Sequence, residues 1–159
     1  MSPGACPVPL VIGVGNELRG DDGAGLLVAR AVRTLQRAGR VRVRVAEQTG
    51  ELLGLLDLWW GAGLVVLVDC VRSGAAPGTV HDLDPDAPLP RGAAASSHGL
   101  QLTHTLQLAR RLRRLPRRLV LVGIEGRCFD RGTPVTPPVR AAAARVSRRI
   151  ERLLPRRGS

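Results

Sequence analysis

Val11-Ile-Gly-Val-Gly-Asn-Glu-Leu-Arg-Gly-Asp-Asp-Gly-Ala-Gly25 decides how this chain folds. An apolar strand, Val8 to Val14, runs into it. The chain turns through Gly13, Gly15 and Asn16, reaches the paired acids Asp21 and Asp22, and enters a helix with Val28, Ala31, Val32 and Leu35 at helical spacing. Glycine opens backbone conformations closed to other residues and lets a ligand or a second chain segment approach closely. Five glycines and two adjacent acids between a strand and a helix therefore mark a site. A dinucleotide fingerprint fits poorly, because Leu18 stands where the third glycine is required. Two carboxylates at the helix entrance would also repel the pyrophosphate that such helices bind. The same acids suit a metal cation, and they equally suit a helix N-cap. From this stretch alone both readings stay open.

Working outward, Val41-Arg-Val-Arg-Val45 alternates as a strand with one wet face, and Glu47-Gln-Thr-Gly50 reads as a turn. Leu52 to Trp59 makes a short apolar helix broken by Gly61-Ala-Gly63. Leu64-Val-Val-Leu-Val68 is a continuous apolar run, hence a buried central strand, with Asp69 immediately at its carboxyl end. Thr79 to Leu83 is a short antiparallel edge strand carrying an exposed His81, and Asp84 to Arg91 is irregular. A helix from about Leu100 to Leu115 buries Leu102, Leu106, Ala109 and Leu112, keeps His104 in solvent, and stops at Pro116. Leu119 to Ile124 is a second buried strand, and Glu125 to Pro134 a loop. Thr136-Pro137 caps a last helix that turns Val139, Val146, Ile150 and Leu153 inward. Strands alternating with helices imply a mostly parallel sheet covered on both faces, in a single domain.

Composition narrows the function. A hydrophobic share of 44% supports a packed core, and no apolar run approaches the ~18 residues of a membrane span. With no visible signal peptide, the expectation is a cytoplasmic protein with no membrane role, and a monomer is the working state. Cys6, Cys70 and Cys128 lack metal or disulfide spacing and are taken as reduced. The net charge of +11 comes entirely from arginine, concentrated in Arg110–Arg118 and Arg140–Arg157 on helix polar faces. One Phe, two Trp and no Tyr leave almost no stacking platform for bases, so no nucleic-acid partner is expected.

In parallel sheets ligands bind at the carboxyl ends of the strands. That rule selects Asp22, Asp69 and the loop carrying His98. Two carboxylates and an imidazole match a divalent transition-metal site with open coordination positions. A serine elbow, an activated thiolate and an HExxH motif are all missing from the sequence.

Gly13-Val-Gly-Asn16, Asp21-Asp-Gly23, Leu64 to Asp69, Ser97-His98 and Val120 to Glu125, in that order, resemble the hydrogenase maturation proteases. The similarity runs from about residue 10 to residue 154. This resemblance implies a three-layer αβα sandwich on a mostly parallel five-stranded sheet. It implies a metal-contacting trio at Asp22, Asp69 and His98, with Asp22 and Asp69 catalytic. It also implies a substrate cleft at Gly13, Gly15, Asn16 and Thr49. Some members carry Glu at the first position, and Asp22 is one methylene shorter. The expected activity is metal-dependent removal of the C-terminal peptide from a nickel-loaded hydrogenase large-subunit precursor, the nickel arriving with the substrate. The alternatives are a peptidase of the same fold acting on another protein, and a Rossmann-like nucleotide binder.

Overall fold

The structure, a computed structural model, describes residues 8–87 and 97–156, the side chains of residues 97 and 98 excepted. Five strands form one sheet: β1 (Leu10–Val14), β2 (Arg44–Gln48), β3 (Leu64–Val71), β4 (Val80–Leu83) and β5 (Arg118–Glu125). Their spatial order is β2-β1-β3-β5-β4, parallel except for β4, which runs antiparallel to β5 at the edge. Among the described residues four α-helices cover it: α1 (Ala24–Arg37), α2 (Leu55–Leu58), α3 (Ser97–Arg111) and α4 (Pro137–Leu153). The three layers and the five-stranded, mostly parallel sheet are those expected from the sequence.

Strand periodicity explains the layers. Side chains alternate across a strand, so one apolar run feeds two cores. Val11, Val66, Val68, Val122 and Ile124 face α1 and α4, where they meet Val28, Val32, Val139, Val146 and Ile150. Leu10, Ile12, Val65, Leu67 and Leu121 face the other way and pack on Leu55, Trp59, Leu102, Leu106 and Ala109. Each such side chain, fully buried, contributes roughly 1.5–3 kcal/mol.

Several boundaries differ from the sequence reading. β2 begins at Arg44 rather than Val41, and Glu47 and Gln48 belong to it. Val41 and Val43 are buried as expected, but β1 begins only at Leu10, which pairs with Arg44, so no ladder exists earlier. Val41 instead bridges to Arg156 near the C-terminus. β3 continues two residues past Asp69 because β5 pairs with it as far as Glu125. β1 reaches only Val68, so Asp69 is the first residue of β3 beyond that neighbour. α3 ends at Arg111, well before Pro116. Arg114 N–H donates to Ala109 O and Arg113 N–H to Arg110 O, with Arg113 left-handed at φ 54°. This is the Schellman ending, with arginine where glycine is usual. Leu112 is thereby 51% exposed rather than buried. In α4, Leu153 is exposed and Leu154 takes the inward place, since the chain turns extended at Leu154. The irregular run expected from Asp84 is described only to residue 87.

Reversal of the connections places β1 and β3 side by side with their crossovers on opposite faces of the sheet. Beyond their carboxyl ends lies the crevice where open α/β sheets bind ligands. Asp22 follows β1 and Asp69 lies on β3, so topology alone brings them to this rim.

Candidate active site

The glycines set the rim by letting the chain pack on itself. A Cβ at Gly13 would collide with the Gly25 carbonyl of α1, and one at Gly15 with the Asp22 carbonyl. A Cβ at Gly25 would collide with the carbonyls of both Val14 and Val68. The start of α1 is thus pressed onto the ends of β1 and β3, directly beside Asp69. The close approach that Gly13 and Gly15 permit is to this chain's own backbone. Gly15 N–H donates to Gln48 O at 3.1 Å, which brings the end of β2, and exposed Thr49 after it, to the same rim. Asn16 takes part through a tight turn: its Oδ1 accepts Leu18 N–H at 2.9 Å, and its N–H donates to Asp22 O at 3.2 Å.

Asp21 and Asp22 share a 3₁₀ turn, Gly20–Gly23, and have separate roles. The helix-cap reading fails for Asp21, and the N-cap of α1 is Gly23. Asp21 is fully buried and ties the turn to the segment after β5. Its Oδ2 accepts the amides of Arg127 and Cys128, both at 2.9 Å, and its Oδ1 accepts Thr136 N–H at 2.7 Å and Thr136 Oγ1–H at 2.8 Å. Thr136 therefore spends its hydroxyl on Asp21 rather than on α4, where no side-chain cap bond forms. Asp21 N–H donates back to Cys128 O at 2.8 Å, and Gly20, left-handed at φ 55°, donates to Thr133 O at 3.1 Å. Burial alone would raise the Asp21 pKa. The donors from Arg127, Cys128 and Thr136 outweigh it, so the carboxyl titrates below its usual range.

Held by that anchor, Asp22 stands at the rim with 8% of its surface exposed, and Asp69 with 3%. Asp69 Oδ1 accepts the amide of Cys70 at 2.7 Å, which fixes its orientation. Burial, and then the negative field of Asp69, Asp22, Asp21 and Glu125, raises the Cys70 thiol far above its ordinary value. Cys70 is consequently no nucleophile, as the sequence implied. His98 lies in the first turn of α3, and its side chain lies outside the described residues. Among the described residues no three His, Cys, Asp or Glu side chains gather closely enough to hold one ion.

Two features escaped the sequence reading. Glu125 is the last residue of β5, 1% exposed, and not the start of a loop. Its Oε1 accepts Ser73 N–H at 2.8 Å and Gly74 N–H at 3.0 Å, and its Oε2 accepts Ser73 Oγ–H at 2.7 Å. His81 Nε2 stands 3.0 Å from that oxygen, so His81 is partnered and half-buried rather than exposed. Burial would raise the Glu125 pKa, but the Ser73, His81 and Gly74 donors bring it below the usual range. The second feature is Asp21's anchoring role. A signal existed for Glu125, since an acid directly after a buried apolar run repeats the Asp69 pattern. Nothing local distinguished Asp21 from Asp22.

The α/β sandwich is a fold already represented among solved structures. The hydrogenase maturating endopeptidase HybD from Escherichia coli superimposes with a TM-score of 0.74 at 26% identity, covering 90% of this chain and 89% of that one. The NiFe hydrogenase maturation protease HycI from Thermococcus kodakarensis KOD1 gives 0.73 at 25% identity, covering 92% of each. In sequence, the hydrogenase expression/formation protein HupD of Bradyrhizobium diazoefficiens is 34% identical over 137 residues, 82% of this chain and 69% of that protein. HupD of Thiocapsa roseopersicina is 35% identical over 124 residues, 75% of this chain and 54% of that protein, so the chain spans about half that relative's length. The family model described as hydrogenase maturation protease matches residues 29–153, a span that includes Asp69 and His98. The chain belongs to the hydrogenase maturation protease family.

Proposed function

We propose that this chain is an endopeptidase that trims the C-terminal extension of a hydrogenase large-subunit precursor, acting on the nickel-loaded form. The observation that carries the reading is the pair Asp22 and Asp69, both nearly buried, at the mouth of the β1–β3 crevice in a chain of this family. Asp22, Asp69 and His98 are the proposed contacts to the ion, which belongs to the precursor and not to the enzyme. Two carboxylates and an imidazole are a donor set that suits nickel and leaves coordination positions for the precursor's own ligands. Recognition then depends on the ion, because an empty precursor offers nothing for the trio to grip.

Hydrolysis adds one water across the peptide bond. The water oxygen attacks the carbonyl carbon, one of its protons passes to a base, and the departing amine takes up a proton. Asp22 and Asp69 are the proposed bases. The precursor's nickel supplies Lewis acidity toward the carbonyl or the water. Asn16 and Thr49, on the corner that the buried Gly13 and Gly15 hold in place, form the proposed cleft wall along which the extended tail lies. Among the described residues no helix is long and apolar enough to cross a membrane.

The test uses Asp22→Asn, Asp69→Asn and His98→Ala with purified precursor. Each variant should keep the wild-type circular dichroism spectrum and lose at least about a hundredfold in processing rate, as expected for groups at the reacting centre. Wild-type rates in all three would remove the site.

A further inference from the structure

Beside the acidic rim, at the carboxyl ends of β3 and β5, lies an open cleft of about 410 Å³. One wall is the β3–β4 loop, with Arg72, Gly74, Ala76 and Pro77, and the other is Gly126 and Arg127. We propose that this cleft is a carboxylate-binding subsite for the tail of the protein substrate, with Arg72 and Arg127 as its specificity-determining residues. The proposal rests on the peptidase reading above and adds to it the chemistry the enzyme selects beyond the cut.

Charge supports it first. Arg30, Arg33, Arg110, Arg114 and Arg149 each face a carboxylate of this chain. Among the described residues no acid pairs with Arg72 or Arg127. The Arg72 guanidinium lies over the Phe129 ring, 5.1 Å from its centroid, which limits its motion and leaves its edge donors for a ligand. Glu125 lines the cleft floor but does not oppose an anion strongly. It is 1% exposed, and both its oxygens are spent inward on Ser73, Gly74 and His81. Its effect is to fix the loop that carries Arg72. The remaining lining is Gly, Ala and Pro, so Arg72 and Arg127, both exposed, are the cleft's cationic residues.

Position supports it second. Arg72 follows Asp69 by three residues, about 10 Å along an extended chain. Arg127 donates its own amide to Asp21, the neighbour of Asp22. An extended peptide advances about 3.3–3.6 Å per residue, so a carboxylate roughly three residues past a bond held at Asp22 and Asp69 reaches the cleft. That group is either an Asp or Glu side chain of the tail or its terminal carboxylate, and guanidinium reads both alike.

The probes are synthetic peptides with the sequence of the precursor's C-terminal extension: one unmodified, one C-terminally amidated, and one with each acid changed to its amide. Binding to the intact protein is followed by calorimetry at low and high salt. One of the modified peptides should bind about fivefold to tenfold more weakly than the unmodified one, and the difference should shrink at high salt. In the double variant Arg72→Gln/Arg127→Gln, whose positions are exposed and whose melting temperature should be unchanged, all peptides should bind alike at the weaker level. The amidated and the acid-free peptides distinguish the two sources of the carboxylate. Equal binding of all peptides to wild type, no binding of any, or a preference that survives in the double variant overturns the subsite. Wild-type protein that shows the preference yet never shortens the precursor keeps the subsite and removes the peptidase reading. Processing without the preference does the reverse.

Discussion

Asp21 anchors the turn that carries Asp22, and its replacement is the sharpest test of how the rim is built. Asp21→Ala removes a buried carboxylate and leaves four donors, the amides of Arg127, Cys128 and Thr136 and the Thr136 hydroxyl, without their acceptor. A hydrogen bond to a charged group contributes about 1.5–3 kcal/mol, and the four are not additive because they share one anchor. Part of the segment between residues 126 and 136 is exposed and can turn to water, so we predict a loss of about 3–5 kcal/mol in urea unfolding at pH 7. That is a large part of the ~5–15 kcal/mol that holds a domain of this kind folded. The sign with pH follows from the depressed carboxyl. Its stabilisation is fully present above the unfolded-state value near 3.9 and is lost as pH falls from there through the lower folded-state value. The gap between wild type and Asp21→Ala should therefore narrow below about pH 4. Glu47 and Glu125, whose carboxyls are also depressed, weaken both proteins alike and cancel in the comparison. Amide exchange should accelerate at residues 127, 128 and 136. A loss under about 0.5 kcal/mol, or a gap that does not change with pH, would refute the anchor.

Other perturbations follow from the same contacts. Gly15→Ala drives a Cβ into the Asp22 carbonyl; overpacking of that kind costs about 1–3 kcal/mol, and the displaced turn should slow processing more than tenfold, read by melting temperature and by precursor cleavage. Glu125→Gln turns an amide N–H₂ toward Ser73 or Gly74 and should cost about 1–3 kcal/mol, with faster limited proteolysis between residues 72 and 79; unchanged proteolysis would mean the loop does not depend on that carboxylate.

The sandwich was legible because its signals are local. β1, β3 and β5 are short apolar runs bounded by turn residues, and α1 and α4 carry clear inward stripes. The position of Asp22 and Asp69 at one rim was legible because topology puts strand ends together. What escaped the sequence depends on distant partners. The alternation in Val41–Val45 is real, yet where pairing begins is set by Leu10, more than thirty residues earlier. Leu112 fits the stripe of α3, but the helix closes one residue earlier. There a left-handed Arg113 is followed by Arg114, whose guanidinium rests 4.5 Å over Trp60 and 3.3 Å from Asp57. His81 looks solvent-facing on an edge strand until Glu125, forty-four residues on, is placed beside it. Asp21 and Asp22 are chemically identical neighbours, and only the return of the chain at Cys128 and Thr136 gives them different work.

The most direct measurement is the mass of the large-subunit precursor after incubation with this protein, with and without nickel in the precursor. Loss of the C-terminal peptide from the nickel-loaded form alone, abolished by Asp22→Asn, is the expected result. Equal trimming of the nickel-free precursor, or full trimming by the Asp22 variant, would contradict it.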